Sequence, residues 1–211
     1  MNSNIKAAGV PVTKAAKALI MLHGRGADAR DILGLADQLN VKDFALLAPQ
    51  AQGNSWYPYS FIAPVEKNEP YLTQSLQVVA ETVDHALNNG IAKENIYLLG
   101  FSQGACLASE YMARNAGRYG GLVVFTGGLI GERINRNNYT GNLNGTPVFI
   151  ASSDPDFHVP VERVYATANI FKEMGAEVTE KVYANMGHTI NQDEIENANN
   201  IVFATPVGKD A

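Results

Sequence analysis

The chain has 211 residues, of which 46% are hydrophobic and 18% charged, a balance typical of a folded globular protein. Its 16 basic and 21 acidic residues leave a net charge of −5 without a basic cluster, so we expect no nucleic-acid partner. Cys106 is the single cysteine and no apolar stretch reaches the ~20 residues that cross a bilayer, which predicts a cytoplasmic protein without disulfides or stable membrane insertion.

Short apolar runs and amphipathic segments alternate along the chain. The Ile5–Val12 segment is predicted to form an antiparallel strand at a sheet edge. Strands buried on both faces of a parallel sheet are indicated, without period-2 alternation, at Ala18–Leu22, Ala45–Ala48, Ile96–Phe101, Leu122–Phe125, Val148–Ala151 and Val178–Tyr183. Helical patterns occupy Asp28–Asn40, Tyr71–Asn89, Val161–Met174 and Asn191–Asn200. This order predicts an α/β fold with a mostly parallel central sheet and helices on both faces.

The segment Ala48–Pro70 has no clear periodicity, and a long irregular loop in a compact domain is usually functional. Its aromatic residues are Trp56, Tyr57, Tyr59 and Phe61. Their density predicts a packed loop that forms a pocket. Because this is the only extended insertion that the sequence indicates, we expect one domain over residues 1–211 without a separate cap, including an edge segment at 1–15 and a tail at 204–211.

The strongest motif is Gly100-Phe101-Ser102-Gln103-Gly104, which matches G-x-S-x-G. In this motif a serine occupies a tight strand-to-helix turn, and the flanking glycines avoid clashes where backbone segments meet. The preceding Tyr97-Leu98-Leu99 resembles a buried strand, and Ala105–Tyr111 resembles a helix that begins with small residues. This context favours Ser102 as a nucleophile over an accidental Gly-Ser turn.

A serine nucleophile needs a histidine as its base, and in this type of fold the histidine comes last in the chain. His188 follows the predicted strand Val178–Tyr183 and is therefore the expected base. His23 and His85 precede the serine, and His158 lies earlier among acidic residues.

The acid that orients the base is expected in the loop after Val148–Ala151, which offers Asp154 and Asp156. Spacing alone does not choose between the two carboxylates. Asp154 precedes a proline and suits a structural turn, so Asp156 is the preferred acid and Asp154 the alternative.

Acyl transfer also needs N–H donors for the oxyanion of the tetrahedral intermediate. The amide of Gln103, directly after the serine, is one expected donor, and the amide of Arg25 in the glycine-rich loop Leu22–Ala27 is the other. A phosphate-binding loop is the alternative interpretation, but neither G-x-G-x-x-G nor a Walker pattern is present. His23 is interpreted as a buried structural residue.

Together these motifs resemble the phospholipase/carboxylesterase branch of the α/β-hydrolases, which includes the acyl-protein thioesterases. The matching segments are Leu22-His23-Gly24-Arg25-Gly26, Gly100-Phe101-Ser102-Gln103-Gly104-Ala105, Asp156-Phe157-His158-Val159-Pro160 and Gly187-His188. The resemblance implies Ser102, Asp156 and His188 as a catalytic triad, and the D-x-x-V-P match favours Asp156 over Asp154.

The same resemblance implies the amides of Arg25 and Gln103 as the oxyanion hole, and Trp56 resembles a tryptophan that lines the family's acyl pocket. Position 25 is often leucine in the family, so the arginine places a cation at the pocket mouth. It predicts a preference for acidic or polar groups, unless the guanidinium pairs with a carboxylate such as Asp28. Ser152-Ser153 replaces the usual His-Gly ahead of the acid.

We therefore expect a serine carboxylesterase that hydrolyses small or medium acyl esters, or aryl esters, through an acyl-enzyme. Candidates for the pocket wall, with core packing as the alternative for each, are Trp56, Tyr57, Tyr59, Phe61 and Phe157. No metal or organic cofactor is implied, the expected partner is a small-molecule ester, and a homodimer is left open. The alternative functions are an acyl-thioesterase, lysophospholipase or lactone hydrolase with the same triad, and a non-catalytic binding protein of the same fold.

Overall fold

The computed structural model describes residues 4–204 of the chain, which fold around a seven-stranded sheet. The strands are β1 (Ile5–Gly9), β2 (Lys17–Leu22), β3 (Phe44–Pro49), β4 (Ile96–Phe101), β5 (Gly121–Phe125), β6 (Pro147–Asp154) and β7 (Glu177–Ala184). The predicted tail at 204–211, except for Ala204, and the first three residues of the predicted edge segment lie outside the described residues.

The strands lie side by side in the order β1-β3-β2-β4-β5-β6-β7, and every neighbouring pair is parallel except β1 with β3. β1 runs antiparallel to β3 along one edge, with Ile5 opposite Pro49 and Gly9 opposite Ala45. The prediction of a mostly parallel sheet with an antiparallel edge strand is therefore confirmed. β1 ends earlier than the predicted Ile5–Val12, because Gly9 has a φ of 69° and turns the chain.

Two layers of helices cover the two faces of the sheet. The α-helices of the described chain are α1 (Ala29–Gly34), α2 (Val65–Asn68), α3 (Tyr71–Asn88), α4 (Gln103–Arg114), α5 (Val161–Glu173) and α6 (Gln192–Ile201). Apolar residues of α3, α4 and α5 pack on one face, and those of α1 and α6 pack on the other. In β2, Ala18 and Ile20 contact the first layer, while Leu19 and Met21 contact the second. The inner strands β2 to β6 are largely buried on both faces between the helix layers, which explains their apolar runs. The prediction that Val178–Tyr183 is buried on both faces is wrong, because β7 lies at the edge of the sheet and its residues are half-buried or exposed.

The helices lie close to their predicted bounds, with one exception. The helix expected over Asp28–Asn40 is α-helical only as far as Gly34 and continues as a 3-10 turn at Leu35–Gln38. Glycine has a weak helix propensity, which accounts for the change at this position. No helix within residues 4–204 is long and apolar enough to cross a membrane.

β6 extends beyond its predicted end at Ala151 as far as Asp154. Ser152 and Ser153 suggested a loop because they are polar, yet both are fully buried in the sheet. Their burial means that the loop after β6 begins later than the sequence indicated, and Asp154 belongs to the strand.

Two long connections carry little regular structure. The Ala48–Pro70 segment completes β3 and then contains a 3-10 turn at Gln52–Asn54 and the short α2. Residues 126–146, between β5 and β6, contain a 3-10 turn at Arg136–Asn138. The prediction that Ala48–Pro70 is the only extended insertion is therefore wrong, although neither connection forms a separate cap in the described part of the chain.

Candidate active site

The predicted site residues meet beyond the carboxyl ends of the parallel strands. Ser102 directly follows β4, and the loops after β2, β6 and β7 carry Arg25, Asp156 and His188. In open parallel sheets ligands bind outside the carboxyl ends of the strands. The fold therefore places these residues where a site is expected.

Ser102 lies in a strained turn between β4 and α4. Its φ of 53° and ψ of −118° belong to a region that residues with a side chain rarely adopt. The Ser102 N–H donates to the carbonyl of Phe125 at 2.9 Å, which ties the turn to β5. The backbone crowds closely here, because a Cβ on Gly100 would collide with the backbone of Gly104, and a Cβ on Gly104 would collide with that of Leu22.

We expect Gly104→Ala to lower the free energy of unfolding by about 2–3 kcal/mol, because the added methyl group overpacks a backbone crossing. Gly34→Ala is the matched control: a Cβ there meets no atom within 4 Å, and the φ of −60° is helical. It should be neutral or stabilise by up to ~1 kcal/mol. Urea unfolding compares the two variants, and equal stabilities would contradict the close approach at Gly104.

Ser102, His188 and Asp156 form a continuous line of hydrogen bonds. The Nε2 atom of His188 lies 2.8 Å from Ser102 Oγ, and its Nδ1 atom lies 2.8 Å from Asp156 Oδ2. An ionised carboxylate accepts only, so Nδ1 carries the proton and Nε2 accepts from the serine hydroxyl. The structure thus brings together the three residues of the predicted triad.

The Asp156 carboxylate is held by three donors. Burial alone would raise its pKa, but the His188 imidazole and the amides of His158 and Val159 donate to it and lower its pKa below the ordinary value. The group is therefore ionised at neutral pH. Asp154, the alternative acid, is the exposed last residue of β6 and makes no hydrogen bond to the imidazole.

The two residues predicted to supply oxyanion donors, Arg25 and Gln103, line the same cavity as Ser102. Gln103 is the first residue of α4, so its N–H has no partner within the helix. Arg25 lies in the loop after β2, where Gly26 has a φ of 81° and donates its N–H to Asn54 O at 2.7 Å. These contacts bend the loop beside the amino end of α4.

The side chain of Gln103 anchors the aromatic loop. Its Oε1 accepts the N–H of Trp56 at 2.9 Å, and its Nε2 donates to Tyr57 O at 2.8 Å. Trp56 in turn donates its indole N–H to His23 O at 2.8 Å. The side chain of the residue after Ser102 therefore positions the aromatic loop.

The Arg25 guanidinium also binds this loop and not a carboxylate. It donates to the backbone oxygens of Tyr57, Pro58 and Tyr59 at 2.8–2.9 Å. The alternative that it pairs with Asp28 is wrong, because Asp28 accepts from the amides of α1 as its N-cap. Arg25 is nevertheless one of the residues that line the cavity beside Ser102.

Removing this guanidinium should loosen one wall of the cavity. We expect Arg25→Ala to raise KM about 3- to 10-fold while kcat changes less, because roughly 1 kcal/mol of preorganisation corresponds to about fivefold in affinity. The backbone N–H at position 25 is retained in this variant. Arg30→Ala, at an exposed site of α1 outside the cavity, is the control, and an unchanged KM in Arg25→Ala would refute the anchoring role.

A cavity of about 620 Å³ opens at Ser102 and His188. Of the predicted wall residues, those that line it are Tyr57, Tyr59, Phe61 and Phe157. Trp56 does not line it: the indole is buried behind the loop with its ring 4.9 Å from that of His23, so the prediction for this residue is wrong. Aromatic density could not tell which side of the loop each ring occupies.

Several lining residues were not predicted. Cys106, one helical turn after Ser102, lies in the cavity wall, and helical periodicity was a signal that could have identified it. Ile62 and Val159 also line the cavity. No group of side chains within residues 4–204 is arranged to hold a metal ion.

The remaining histidines take other positions. His158 is exposed in the cavity wall and its ring contacts the edge of His188, with 4.8 Å between centroids. His23 is buried and accepts the N–H of Ala51, and burial lowers its pKa, so it is a neutral structural residue as expected. His85 lies in the last turn of α3 and lines no part of the cavity.

Comparisons with known proteins agree with this geometry. A family model described as Phospholipase/Carboxylesterase matches residues 4–205. The crystal structure of a phospholipase/carboxylesterase from Dyadobacter fermentans superposes with a TM-score of 0.94 at 50% identity, covering 95% of this chain and 96% of that chain.

Curated relatives match a shorter segment. Acyl-protein thioesterase 1 of Saccharomyces cerevisiae is 32% identical over 125 residues, which are 58% of this chain and 55% of the yeast protein. A probable carboxylesterase of Arabidopsis thaliana, SOBER1-like, is 28% identical over 130 residues, 62% of this chain and 50% of the plant protein. The chain therefore matches about half the length of these curated relatives.

Proposed function

The chain belongs to the phospholipase/carboxylesterase family, and from this premise we propose that it is a serine hydrolase of small or medium acyl esters, or aryl esters. The proposed nucleophile, base and acid are Ser102, His188 and Asp156. The observation that carries the proposal is the line of two 2.8 Å hydrogen bonds from Ser102 Oγ through the His188 ring to Asp156 Oδ2.

In the first half of the proposed reaction, Ser102 Oγ attacks the carbonyl carbon of the ester and its proton passes to Nε2 of His188. Asp156 stabilises the imidazolium that forms. The negative charge develops on the former carbonyl oxygen, where the amides of Arg25 and Gln103 donate hydrogen bonds. Loss of one such donor typically lowers turnover by about 10²–10³-fold.

Collapse of this intermediate releases the alcohol, which takes the proton from His188, and leaves the acyl group on Ser102. A water molecule then attacks the acyl-enzyme while His188 accepts its proton. The second tetrahedral intermediate breaks to the carboxylic acid, and the serine hydroxyl regains its proton from the imidazolium.

The size and chemistry of the cavity support a small or medium substrate. Its volume of about 620 Å³ lies within the usual range of small-molecule sites, and aromatic side chains form much of its wall. The described residues provide no separate cap to enclose a long lipid chain. Because the Arg25 cation lines the cavity, an ester with a carboxylate on its acyl group should be hydrolysed faster than a neutral ester of equal length.

An acyl-thioesterase or lysophospholipase with the same triad is the second candidate. The similarity to yeast acyl-protein thioesterase 1 favours it, and thioester cleavage needs no change in the roles of the three residues. Rates on p-nitrophenyl esters and on acyl thioesters of equal chain length distinguish the two activities.

A fluorophosphonate probe tests the proposal. We expect covalent labelling of the native protein at Ser102, no labelling of Ser102→Ala, and normal labelling of Ser109→Ala, whose hydroxyl is buried in α4 and bonded to Ala105 O. Peptide mass spectrometry locates the adduct. A folded native protein that neither reacts with the probe nor hydrolyses p-nitrophenyl esters or acyl thioesters would instead be a non-catalytic binding protein.

A further inference from the structure

We infer that Ser153 is a positioning residue whose hydroxyl group holds the loop of His188 against the loop of Asp156. The inference rests on the proposed function, since it concerns how the base and the acid are kept in line. Ser153 does not line the cavity, and its hydroxyl group is hydrogen-bonded to none of the three triad side chains. It acts through the backbone of the two loops.

The sheet alone does not fix the base and the acid relative to each other. β6 and β7 pair in parallel up to Asp154 opposite Ala184, and the next tie is the Asn185 N–H donating to Asp154 O at 2.9 Å. Asp156 and His188 both lie beyond that point. Their separation therefore depends on contacts made after the two strands end.

The Ser153 hydroxyl makes such a contact to both loops at once. Its oxygen accepts the N–H of Gly187 at 3.0 Å, and its O–H donates to the carbonyl of Pro155 at 3.3 Å. Gly187 directly precedes His188, and Pro155 directly precedes Asp156. One side chain thus fixes the residue before the base and the residue before the acid.

Burial favours this link as a restraint that joins Gly187 to the loop of the acid. Ser153 is fully buried, so water does not compete freely for its hydroxyl. Gly187 is exposed, has a φ of 83° and has no atom within 4 Å of the place of a Cβ. Its carbonyl accepts the N–H of Thr189 at 3.1 Å, a contact that stays within its own loop. A misplacement of about 1 Å in a catalytic group can lower turnover by roughly 10²-fold.

The hydroxyl group at position 153 is a departure from the pattern of the resembled family. Ser152-Ser153 stands where the family pattern usually has His-Gly, and a glycine at position 153 has no side chain with which to join the two loops. The departure noted in the sequence therefore adds a hydroxyl bridge between the segments of the acid and the base.

Adjacent serines provide a matched test. Ser152 is also fully buried in β6, but its hydroxyl has no hydrogen-bond partner among the described residues. We expect Ser153→Ala to lower kcat about 10- to 100-fold with KM unchanged, because the cavity wall is untouched while the alignment of His188 is lost. Ser152→Ala should keep the kcat of the native protein.

The rate of labelling by the fluorophosphonate probe is the second readout, because it depends on His188 activating Ser102 and should fall in parallel with kcat. Ser153→Cys, which keeps nearly the same volume with a weaker hydrogen-bonding group, should fold and give an intermediate rate. Melting temperatures establish that the variants compared are folded.

Equal loss of kcat in Ser152→Ala and Ser153→Ala would overturn the inference, because it would assign the effect to packing in β6. A labelling rate in folded Ser153→Ala or Ser153→Cys equal to that of the native protein would also overturn it. A native protein that the probe does not label would contradict the proposed function itself, so the two failures are distinguishable.

Discussion

Replacement of His188 by alanine is expected to lower kcat for ester hydrolysis by at least about 10⁴-fold, since loss of the base in serine hydrolases removes nearly all of the triad's contribution. The imidazole lies 2.8 Å from Ser102 Oγ, and no other base in the described chain is bonded to that hydroxyl. Without it the serine must lose its proton to water. Steady-state kinetics on a p-nitrophenyl ester measures the effect.

His158 provides the control for this substitution. It lies in the same cavity, its ring contacts that of His188, and it follows Ser102 in the chain, yet it makes no hydrogen bond to the serine. His158→Ala should therefore change kcat by less than about tenfold, as expected for a wall residue outside the reacting group. Comparable losses in the two variants would refute His188 as the base.

Asp156→Asn is expected to lower kcat by about 10⁴-fold while leaving the fold intact. Oδ1 of Asp156 accepts the amides of His158 and Val159, so the single oxygen of an asparagine would remain on that side. Its amino group would then face Nδ1 of His188. The imidazole would have to accept at Nδ1 and carry its proton on Nε2, which could no longer take the proton of Ser102.

Asp154 provides the control for Asp156→Asn, because it shows whether loss of a nearby negative charge alone lowers kcat. Asp154→Asn removes one negative charge two residues away, at the exposed end of β6. It should leave kcat within about threefold of the native value, as is usual for surface substitutions away from a site. If Asp154→Asn were the more damaging variant, the assignment of the acid would have to be exchanged.

Much of the fold could be predicted because buried parallel strands have a distinctive sequence. Runs such as Ile96–Phe101 are apolar on both faces, and alternation of such runs with amphipathic helices is typical of a sheet between two helix layers. The end of β6 was not predicted, because it is polar and the prediction of strands relied on apolar residues. Ser152 and Ser153 are buried in the sheet, and a polar residue that is buried looks like a loop residue until its neighbours are known.

The candidate site could be predicted where local geometry constrains it. The turn at Ser102 has no room for a Cβ at Gly100 or Gly104, so the glycines in the motif identify the turn directly. Asp156 could not be separated from Asp154 by spacing, because the difference depends on how far β6 continues. The length of β6 is set by its pairing with β7, and this pairing cannot be inferred from the sequence of β6 alone.

The parts that escaped prediction depend on contacts between distant segments. The guanidinium of Arg25 binds carbonyls about thirty residues further along the chain, and Trp56 supports the loop of His23 from behind. On the basis of composition the indole could equally have lined the cavity, and the guanidinium could equally have paired with a carboxylate. Only the folded path of the aromatic loop decides between these orientations.

The strained backbone at Ser102 lowers the stability of the fold at the residue on which the proposed reaction depends. Holding a residue with a side chain at φ 53° and ψ −118° costs about 1–3 kcal/mol, and glycine avoids most of that penalty. Ser102→Gly should therefore melt at a higher temperature than Ser102→Ala, and we expect both variants to be inactive. Any search for thermostable forms of this protein that is screened on melting temperature alone will tend to select against the proposed nucleophile.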